Sequence, residues 1–327
     1  MESLDPWPPA DPLGEALHFL RMNGAYYCRS ELSAPWGLTL PSTPGYIWFH
    51  VVTVGRLWLE TDGEPTLLEP GDLGLVPHGG GHVLRSEPGV PAPGILDLEL
   101  EQVSDRYEIL RHGGGGAPTR LICGAVRFDH PAARNLVEIL PETIRIEASG
   151  SPQTEWLQST LRLMGAEAQE LRPGGEAVIT RLGDILVIQA IRSWIETDPA
   201  ARTGWLGALQ DRQIGRAISL IHRDPAREWT VASLADELGM SRSAFAARFT
   251  ELVGEPAMQY VTRWRMHVAL AAFREEGAAV AELAQRLGYR SEAAFARAFK
   301  RVLGLPPGAA KRESRGTTDW FSALPQS

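Results

Sequence analysis

Residues 234–256 read LADELGMSRSAFAARFTELVGEP, and residues 283–306 read LAQRLGYRSEAAFARAFKRVLGLP. Both segments begin with the pattern Leu-Ala-x-x-Leu-Gly. After an offset of one residue they also share a serine, two phenylalanines four positions apart and a final Gly-x-Pro. A pattern that returns within one chain predicts that the same supersecondary unit is built twice. The last third of the chain is therefore expected to hold two copies of one helical unit.

Each copy has the signals of two helices joined by a tight turn. In the first copy Gly239 is placed to end a short helix, because glycine tolerates the left-handed conformation found at helix C-termini. Ser241 is placed to cap the next helix. Phe245 and Phe249 lie about one turn apart, so both can hold that helix against a core. This order predicts a helix-turn-helix, whose second helix enters the major groove of DNA.

The segment between the copies, residues 256–277, reads PAMQYVTRWRMHVALAAFREEG. Its apolar residues recur at the spacing of one helix face, which predicts a single long helix. Such a helix would hold the two units at a fixed separation. A single copy could be an ordinary helical hairpin, but two copies on either side of one long helix are far more specific.

This arrangement resembles the AraC family of bacterial transcription regulators. The resemblance covers about residues 210–312, and its marks are the SRSAF segment from Ser241, the RWRM segment from Arg263 and the GYRSEAAFARAFKR segment from Gly288. It implies double-stranded promoter DNA and RNA polymerase as partners. It also implies that each recognition helix reads one of two adjacent major-groove segments.

Side chains on the early, exposed turns of each second helix reach base edges in such complexes. Arg297 is the best candidate base reader, because arginine makes bidentate contacts to guanine; a solvated surface arginine is the alternative. Glu292 either accepts a hydrogen bond from cytosine or merely suits a helix N-terminus. The alanines either contact thymine methyl groups or serve as good helix formers. With Lys300 and Arg301 as phosphate contacts, the candidate DNA-binding residues are Arg242, Ser243, Ala246, Ala247, Glu292, Ala293, Ala296, Arg297, Lys300 and Arg301.

Residues 26–126 have a different texture, with short apolar or alternating runs between glycine and proline turns. Many short strands at such spacing predict a β-barrel or sandwich. The segment GDLGLVPHGGGHVLRS (71–86) follows the spacing of the second cupin motif, although Ser86 stands where that motif has asparagine. The first cupin motif, which supplies two histidines and a glutamate, is poorly kept, since only His50 and Glu60 remain. These patterns indicate a cupin fold more strongly than they indicate the metal site that many cupins contain.

The first 200 or so residues also resemble the cupin-type N-terminal domain of some AraC-family regulators. Some regulators of this subgroup respond to oxidants through cysteine, which makes Cys28 and Cys123 redox candidates. The alternative is that both are buried free cysteines that act as small apolar side chains.

The same region contains residues suited to two kinds of ligand. Zinc binds histidine and cysteine, so a possible zinc site is formed by His50, His82, Cys123 and His130, although satisfied or exposed histidines are the alternative and no cofactor is required. A small organic effector could instead lie inside the barrel, lined by Trp48, Phe49 and Trp58, although such aromatics are more often core.

Charge is unevenly divided along the chain. The net charge is -8 overall, but from Leu206 onward there are 17 Lys and Arg against 13 Asp and Glu. An acidic front part and a mildly basic back part fit a sensor joined to a nucleic-acid-binding domain. The acidic, proline-rich start lacks a secretory pattern, and no run approaches the roughly 18 apolar residues of a membrane span, so the cytoplasm is expected.

The sequence therefore predicts an α+β regulator. A cupin-like sensor barrel covers residues 1–130, a helical segment covers 131–205, the double helix-turn-helix covers 206–312, and a tail covers 313–327. The long apolar helix predicted within 176–196 either packs on the barrel or forms a homodimer interface. The chain is not expected to be an enzyme; the alternatives are a cupin-type metal-dependent enzyme with an accessory helical domain and a helical adaptor that binds protein.

Overall fold

The computed structural model describes residues 22–316, apart from residues 105, 129–135, 138, 148–154, 171, 203 and 276. The chain forms two compact units. The first holds residues 22–128 and 137–194, and the second begins at Ile195. The first unit is rich in strands and the second is helical, so the α+β prediction is confirmed.

Two β-sheets enclose the core of the first unit. The strands are β1 (Met22–Ser33), β2 (Gly37–Leu40), β3 (Tyr46–Val54), β4 (Leu57–Glu60), β5 (Thr66–Leu68), β6 (Leu73–Val76), β7 (His82–Arg85), β8 (Leu100–Ser104), β9 (Tyr107–Gly113), β10 (Pro118–Phe128) and β11 (Ile144–Ile146). One sheet has the order β11-β6-β3-β10-β1-β9-β8, and the other has the order β2-β7-β4-β5. Buried side chains of both sheets form one apolar cluster, so the core lies between them.

The central strand β3 is buried on both faces. Trp48 and Val52 belong to the cluster between the sheets. On the opposite face Phe49 packs beside Tyr27, with ring centroids 6.1 Å apart. A strand covered on both sides needs apolar residues at successive positions, which explains why His50 is the one polar residue in the run YIWFHV of residues 46–51.

The described part of the first unit also has two long helices, α1 (Glu155–Glu170) and α2 (Gly175–Thr197). Helix α2 crosses the sheet at Gly183, where an added Cβ would lie 3.2 Å from the Tyr27 ring and 3.4 Å from the Phe49 ring. Packing of this helix on the barrel is thus confirmed. Val178 and Ile185, seven residues apart on α2, remain 38% and 44% exposed; the homodimer stays a prediction.

The described residues of the second unit form, after a short 3₁₀ helix (Pro199–Arg202), eight α-helices. They are α3 (Gly204–Gln210), α4 (Arg212–Arg223), α5 (Val231–Glu237), α6 (Arg242–Val253), α7 (Ala257–Glu275), α8 (Val280–Arg286), α9 (Glu292–Leu303) and α10 (Pro307–Gly316). The predicted long helix between the repeats is α7. No helix within the described ranges is both long and apolar enough to cross a membrane.

The sequence predicts a helical segment from residue 131, whereas the structure has strand β11 at Ile144–Ile146. It pairs with β6 and buries Ile144 and Ile146. Between them the Arg145 guanidinium donates to the buried Asp72 carboxylate, with 3.0 Å from Nε to Oδ2. A strand of three residues is too short to show a periodicity in the sequence.

Candidate functional site

The first repeat folds as two helices joined by a tight turn, as the sequence predicts. Helix α5 begins after Thr230, whose side chain accepts from the Ser233 N–H at 3.0 Å. Gly239 adopts a φ of 63°, the left-handed conformation expected of it. Ser241 then caps α6 by accepting from the Ala244 N–H at 3.2 Å. These caps satisfy backbone groups that a helix end leaves open.

The second repeat has the same construction. Ser291 caps α9 by accepting from the Ala294 N–H at 3.2 Å. Phe295 and Phe299 are fully buried, with ring centroids 5.7 Å apart. Gly304 ends the helix with a φ of 78°, as Gly254 ends α6 with a φ of 84°. The two predicted helix-turn-helix units are therefore present, and α6 and α9 are their second helices.

The candidate DNA-binding residues lie on the solvent side of α6 and α9. Ala246 and Ala296 are half-buried, and the other candidates are exposed, namely Arg242, Ser243, Ala247, Glu292, Ala293, Arg297, Lys300 and Arg301. On α9, Glu292 and Lys300 lie on either side of Ala296 in one row, and Ala293, Arg297 and Arg301 form a second row at the i, i+4 spacing of a helix face. The side chains of Arg242 and Arg297 form no hydrogen bond or ion pair with any other described residue. Both are thus available to an outside partner, and their contact with DNA stays a prediction.

Two arginines near these helices were missed at the level of sequence. Arg290 directly precedes the cap of α9, and its side chain is 91% exposed. Its position before an N-cap serine was the available signal. Arg265 lies on α7 and donates to backbone carbonyls of residues 225 and 227; a contact over 40 positions leaves no signal in the sequence.

The core of the first unit brings four of the sequence-predicted side chains together. Cys28 on β1 is directly opposite Cys123 on β10, and Cys123 is directly opposite His50 on β3. The Cys123 Sγ lies 3.1 Å from His50 Nδ1, and His50 Nε2 lies 2.8 Å from Nε2 of His82, which comes from the other sheet. All four are buried. Residues far apart in the chain thus form one polar row inside an apolar core.

One backbone carbonyl sets the direction of the hydrogen bonds in this row. His82 Nδ1 lies 3.0 Å from the carbonyl oxygen of Gly80, which can only accept. His82 therefore donates from Nδ1 and accepts at Nε2 when it is neutral. It follows that His50 donates from Nε2, and its Nδ1 accepts from the Cys123 thiol. The Cys123 thiol thus donates to His50, His50 donates to His82, and His82 donates to the Gly80 carbonyl.

Burial keeps every group in this row uncharged near neutral pH. It lowers the pKa of His82 to about 4, and it lowers the pKa of His50 well below its ordinary value, with the nearby His82 as a second cause. Burial also raises the pKa of Cys28 to about 11 and that of Cys123 well above its ordinary value. The folded barrel therefore holds thiols and neutral imidazoles, because charged forms lose their hydration there.

These residues do not fit the zinc site that the sequence suggested. Cys123 and His82 lie at opposite edges of the His50 ring, so one ion cannot bind all three side chains. Within the described part of the chain no three His, Cys, Asp or Glu side chains are placed to hold a metal ion. His130 lies outside the described residues. We therefore assign no chemistry to a metal here.

The aromatic lining proposed for an effector is also not formed as expected. Trp48 faces the core between the sheets, where its ring stacks on His50 at 6.3 Å, whereas Phe49 faces α2. Adjacent residues of a strand point to opposite faces, so these two cannot line one cavity. The period of a strand was the signal that could have excluded the pair.

Comparison with known proteins gives the same division of the chain. Residues 11–196 match a cupin family model, and residues 234–313 match a helix-turn-helix domain model. A putative AraC-like transcription regulator of Streptomyces lividans is 34% identical over 300 residues, which are 91% of this chain and 97% of the relative. Another such regulator, of Streptomyces antibioticus, is 33% identical over the same shares. The crystal structure of a DNA-binding transcriptional dual regulator of Escherichia coli K-12 is 30% identical and covers 33% of this chain and 96% of its own, with a TM-score of 0.31.

Proposed function

This chain belongs to the AraC-like transcription regulators that carry a cupin domain, and we propose that α6 and α9 bind adjacent major-groove segments of promoter DNA. The observation that carries the proposal is the repeated, capped helix-turn-helix with an exposed face on each second helix. A homodimer and contact with RNA polymerase are parts of the same proposal. We also propose that the protein acts in the cytoplasm, because that is where bacterial promoter DNA lies.

The two recognition helices should contribute unequally. The exposed face of α9 carries Glu292, Arg297, Lys300 and Arg301. The exposed early turns of α6 carry Arg242 and small side chains, and its other exposed arginine, Arg248, is paired with Asp211 at 2.6 Å. Lys300 and Arg301 would neutralise phosphates, which supplies salt-sensitive affinity. Arg297 would read guanine through two parallel hydrogen bonds. We therefore expect most direct contacts with DNA bases to come from α9, in the second helix-turn-helix unit.

Replacing Arg297 with alanine should lower affinity for the preferred site about tenfold or more, because a bidentate arginine–guanine contact contributes about 1–3 kcal/mol. Affinity for unrelated duplexes should change much less. The measurement is electrophoretic mobility shift of the full chain on its own upstream promoter DNA, in a salt series. Arg216→Ala is the matched control, since Arg216 is an exposed arginine on α4, outside both helix-turn-helix units.

The outcomes of that experiment are distinct. A salt-sensitive shift that loses sequence preference only in Arg297→Ala supports the proposal. Equal losses in both arginine variants would contradict base reading by Arg297 and leave only a charge effect. No specific shift by the wild type, either reduced or oxidised, would contradict operator binding in the absence of an effector.

We further propose that the first unit controls DNA binding in response to a signal, either a small effector or an oxidant at Cys28 and Cys123. Directly opposed residues of an antiparallel pair have Cα atoms about 4.5–5.5 Å apart, which lies within the range that a disulfide needs. Formation of the disulfide removes both thiol hydrogens and transfers two electrons to the oxidant. Because both thiols are buried in an apolar core, which excludes charged molecules, an uncharged two-electron oxidant such as hydrogen peroxide or hypochlorous acid is the class able to reach them.

Treatment with such an oxidant should change the DNA affinity of the wild type and leave Cys28→Ser and Cys123→Ser unchanged. The two measurements are a mobility shift and the mass of the peptides that contain the two cysteines. A change in affinity that persists in both serine variants would contradict the thiol signal and favour a small effector.

The alternative function, a cupin-type metal enzyme, is not favoured by the site. Its metal set would have to come from His50, His82 and Cys123, whose arrangement around the His50 ring prevents shared binding of one ion. The relatives compared above are regulators. Metal analysis together with turnover assays would distinguish the two functions.

A further inference from the structure

The turns of the two helix-turn-helix units differ in what surrounds them. Gly239 and Gly288 occupy equivalent positions and both have positive φ, 63° and 77°. A Cβ added at Gly239 would meet no atom within 4 Å, whereas a Cβ at Gly288 would lie 2.5 Å from the carbonyl oxygen of Ala226. The turn of the second helix-turn-helix unit is therefore in close contact with the segment that precedes the first helix-turn-helix unit.

That segment, residues 224–229, is held by its own contacts. The Asp224 carboxylate accepts from the Arg227 N–H at 3.0 Å, and the Asp224 carbonyl accepts from the Trp229 indole N–H at 2.8 Å. The Arg227 guanidinium lies over the buried Trp229 ring at 4.2 Å. These contacts fix the conformation of the segment against which the second helix-turn-helix unit packs.

Arg265 on α7 connects this segment to the second helix-turn-helix unit. Its Nε donates to the Pro225 carbonyl at 2.6 Å, and its Nη2 donates to the Arg227 carbonyl at 2.8 Å. Its guanidinium also lies 5.7 Å from the ring centroid of Tyr289, in the turn of the second unit. One planar cation on α7 thus contacts both the segment before the first helix-turn-helix unit and the turn of the second.

Another link between the same regions contributes much less. Arg290 lies 3.5 Å from Glu228, but the two side chains are 91% and 81% exposed. Ion pairs exposed to this degree contribute little, because water and salt screen them. Of these two links between described residues, the half-buried Arg265 is therefore the stronger polar contact.

We propose that Arg265 is a positioning residue that fixes the separation of α6 and α9, so that this protein accepts its two DNA segments at a single spacing. The inference rests on the proposed function, in which both helices enter the major groove. One added base pair moves a segment by about 3.4 Å along the duplex and by roughly a tenth of a helical turn. A rigid pair of helices cannot follow that change, whereas a loosely joined pair can.

The residue type is important for this role. A guanidinium presents several donors in one plane and serves two carbonyls at once, while an ammonium acts as a single compact charge. Arg265→Lys should therefore restore the fixed spacing only in part. Arg265→Met keeps much of the aliphatic bulk and removes both hydrogen bonds.

The test is selection from a pool of DNA duplexes with a randomised core of about 30 base pairs, roughly three helical turns. The full-length wild type, Arg265→Met, Arg265→Lys and Arg263→Met are compared. Arg263 is the matched control, because it lies on the same helix but pairs with Glu255, which precedes that helix and is 2.5 Å away. The wild type and Arg263→Met should enrich two segments at one separation.

Arg265→Met should enrich the same two segments at more than one separation. Its preference for the wild-type spacing over a duplex with one extra base pair should fall about tenfold, as expected for loss of charge-assisted hydrogen bonds. Arg265→Lys should lie between the two. A single unchanged separation in Arg265→Met would overturn the inference, whereas failure of the wild type to enrich any segment would overturn the proposed function itself.

Gly288→Ala and Gly239→Ala provide a second pair of variants that does not alter Arg265. Both place alanine at a positive φ, but only Gly288→Ala adds the overlap with Ala226. We expect broadened spacing in Gly288→Ala and unchanged spacing in Gly239→Ala. Identical spacing profiles in these two proteins would also count against the inference.

Discussion

Acidification from about pH 6.5 to about pH 4 should remove about 3 kcal/mol of stability from the cupin unit through His82 alone. Burial lowers the pKa of His82 from 6.5 to about 4. Between these values the unfolded chain carries a proton on this side chain that the folded chain does not. The unfolded state therefore binds more protons, and the free energy of unfolding falls as the pH falls.

The measurement is urea unfolding of the full chain over this pH interval, compared with His82→Asn, which keeps a polar group but cannot titrate. The wild type should lose more stability than the variant. Asp184 acts in the opposite direction, because burial raises its pKa to about 6 and acid then favours the folded state. That effect is common to both proteins and cancels in the comparison. Parallel pH profiles would contradict the prediction.

Protonation of His82 would also disturb the row of hydrogen bonds in the core. A charged His82 donates from both ring nitrogens, so its Nε2 no longer accepts from His50. His50 would then have to present an acceptor at Nε2 and a proton at Nδ1, which removes the acceptor of the Cys123 thiol. The acid sensitivity of the fold and the environment of this thiol are therefore linked through one ring.

Replacement of Gly79 with alanine should destabilise the cupin unit by about 4 kcal/mol or more, which places it among the most harmful single substitutions. Gly79 has a φ of 61°, and an added Cβ would overlap the carbonyl oxygen of Thr43. The two residues cannot simply separate, since the Thr43 N–H donates to the Gly79 carbonyl at 2.7 Å. Both the backbone conformation and the space require glycine.

Gly45→Ala separates those two requirements. Gly45 also has a positive φ, 90°, but an added Cβ there would meet nothing within 4 Å. That variant should lose only about 1–2 kcal/mol, the strain of a left-handed residue. The measurement is the urea midpoint of each variant at neutral pH. Equal losses would show that steric overlap at Gly79 is relieved by movement of the strand.

The local elements of the second unit could be predicted because their causes are local. A serine cap acts on an N–H three residues away, and a glycine end acts on its own φ, so both are visible in a short window of sequence. The repeat then made the prediction specific, because Ser241 and Ser291 recur with the same flanking pattern. The cupin motif was recognised for a similar reason, since Gly79 and His82 act within one turn and the strands beside it.

Other features depend on pairing over long distances in the chain. Strand register decides that Cys28, Cys123 and His50 form one row, and the meeting of two sheets adds His82 to it. The same geometry separated the zinc candidates around one ring and placed Trp48 and Phe49 on opposite faces. No spacing in the sequence contains the positions of the row, although the period of a strand could have excluded the aromatic pair.

The sequence by itself determined that this protein has a cupin domain and two helix-turn-helix units, because those signals lie in short windows of neighbouring residues. Only the tertiary structure decided how the units are joined. Gly239 and Gly288 are equivalent in the repeat, yet one is open and the other lies against Ala226. The physical reason is that packing between distant segments, such as that of Arg265 with residues 225 and 227, is set by the whole fold.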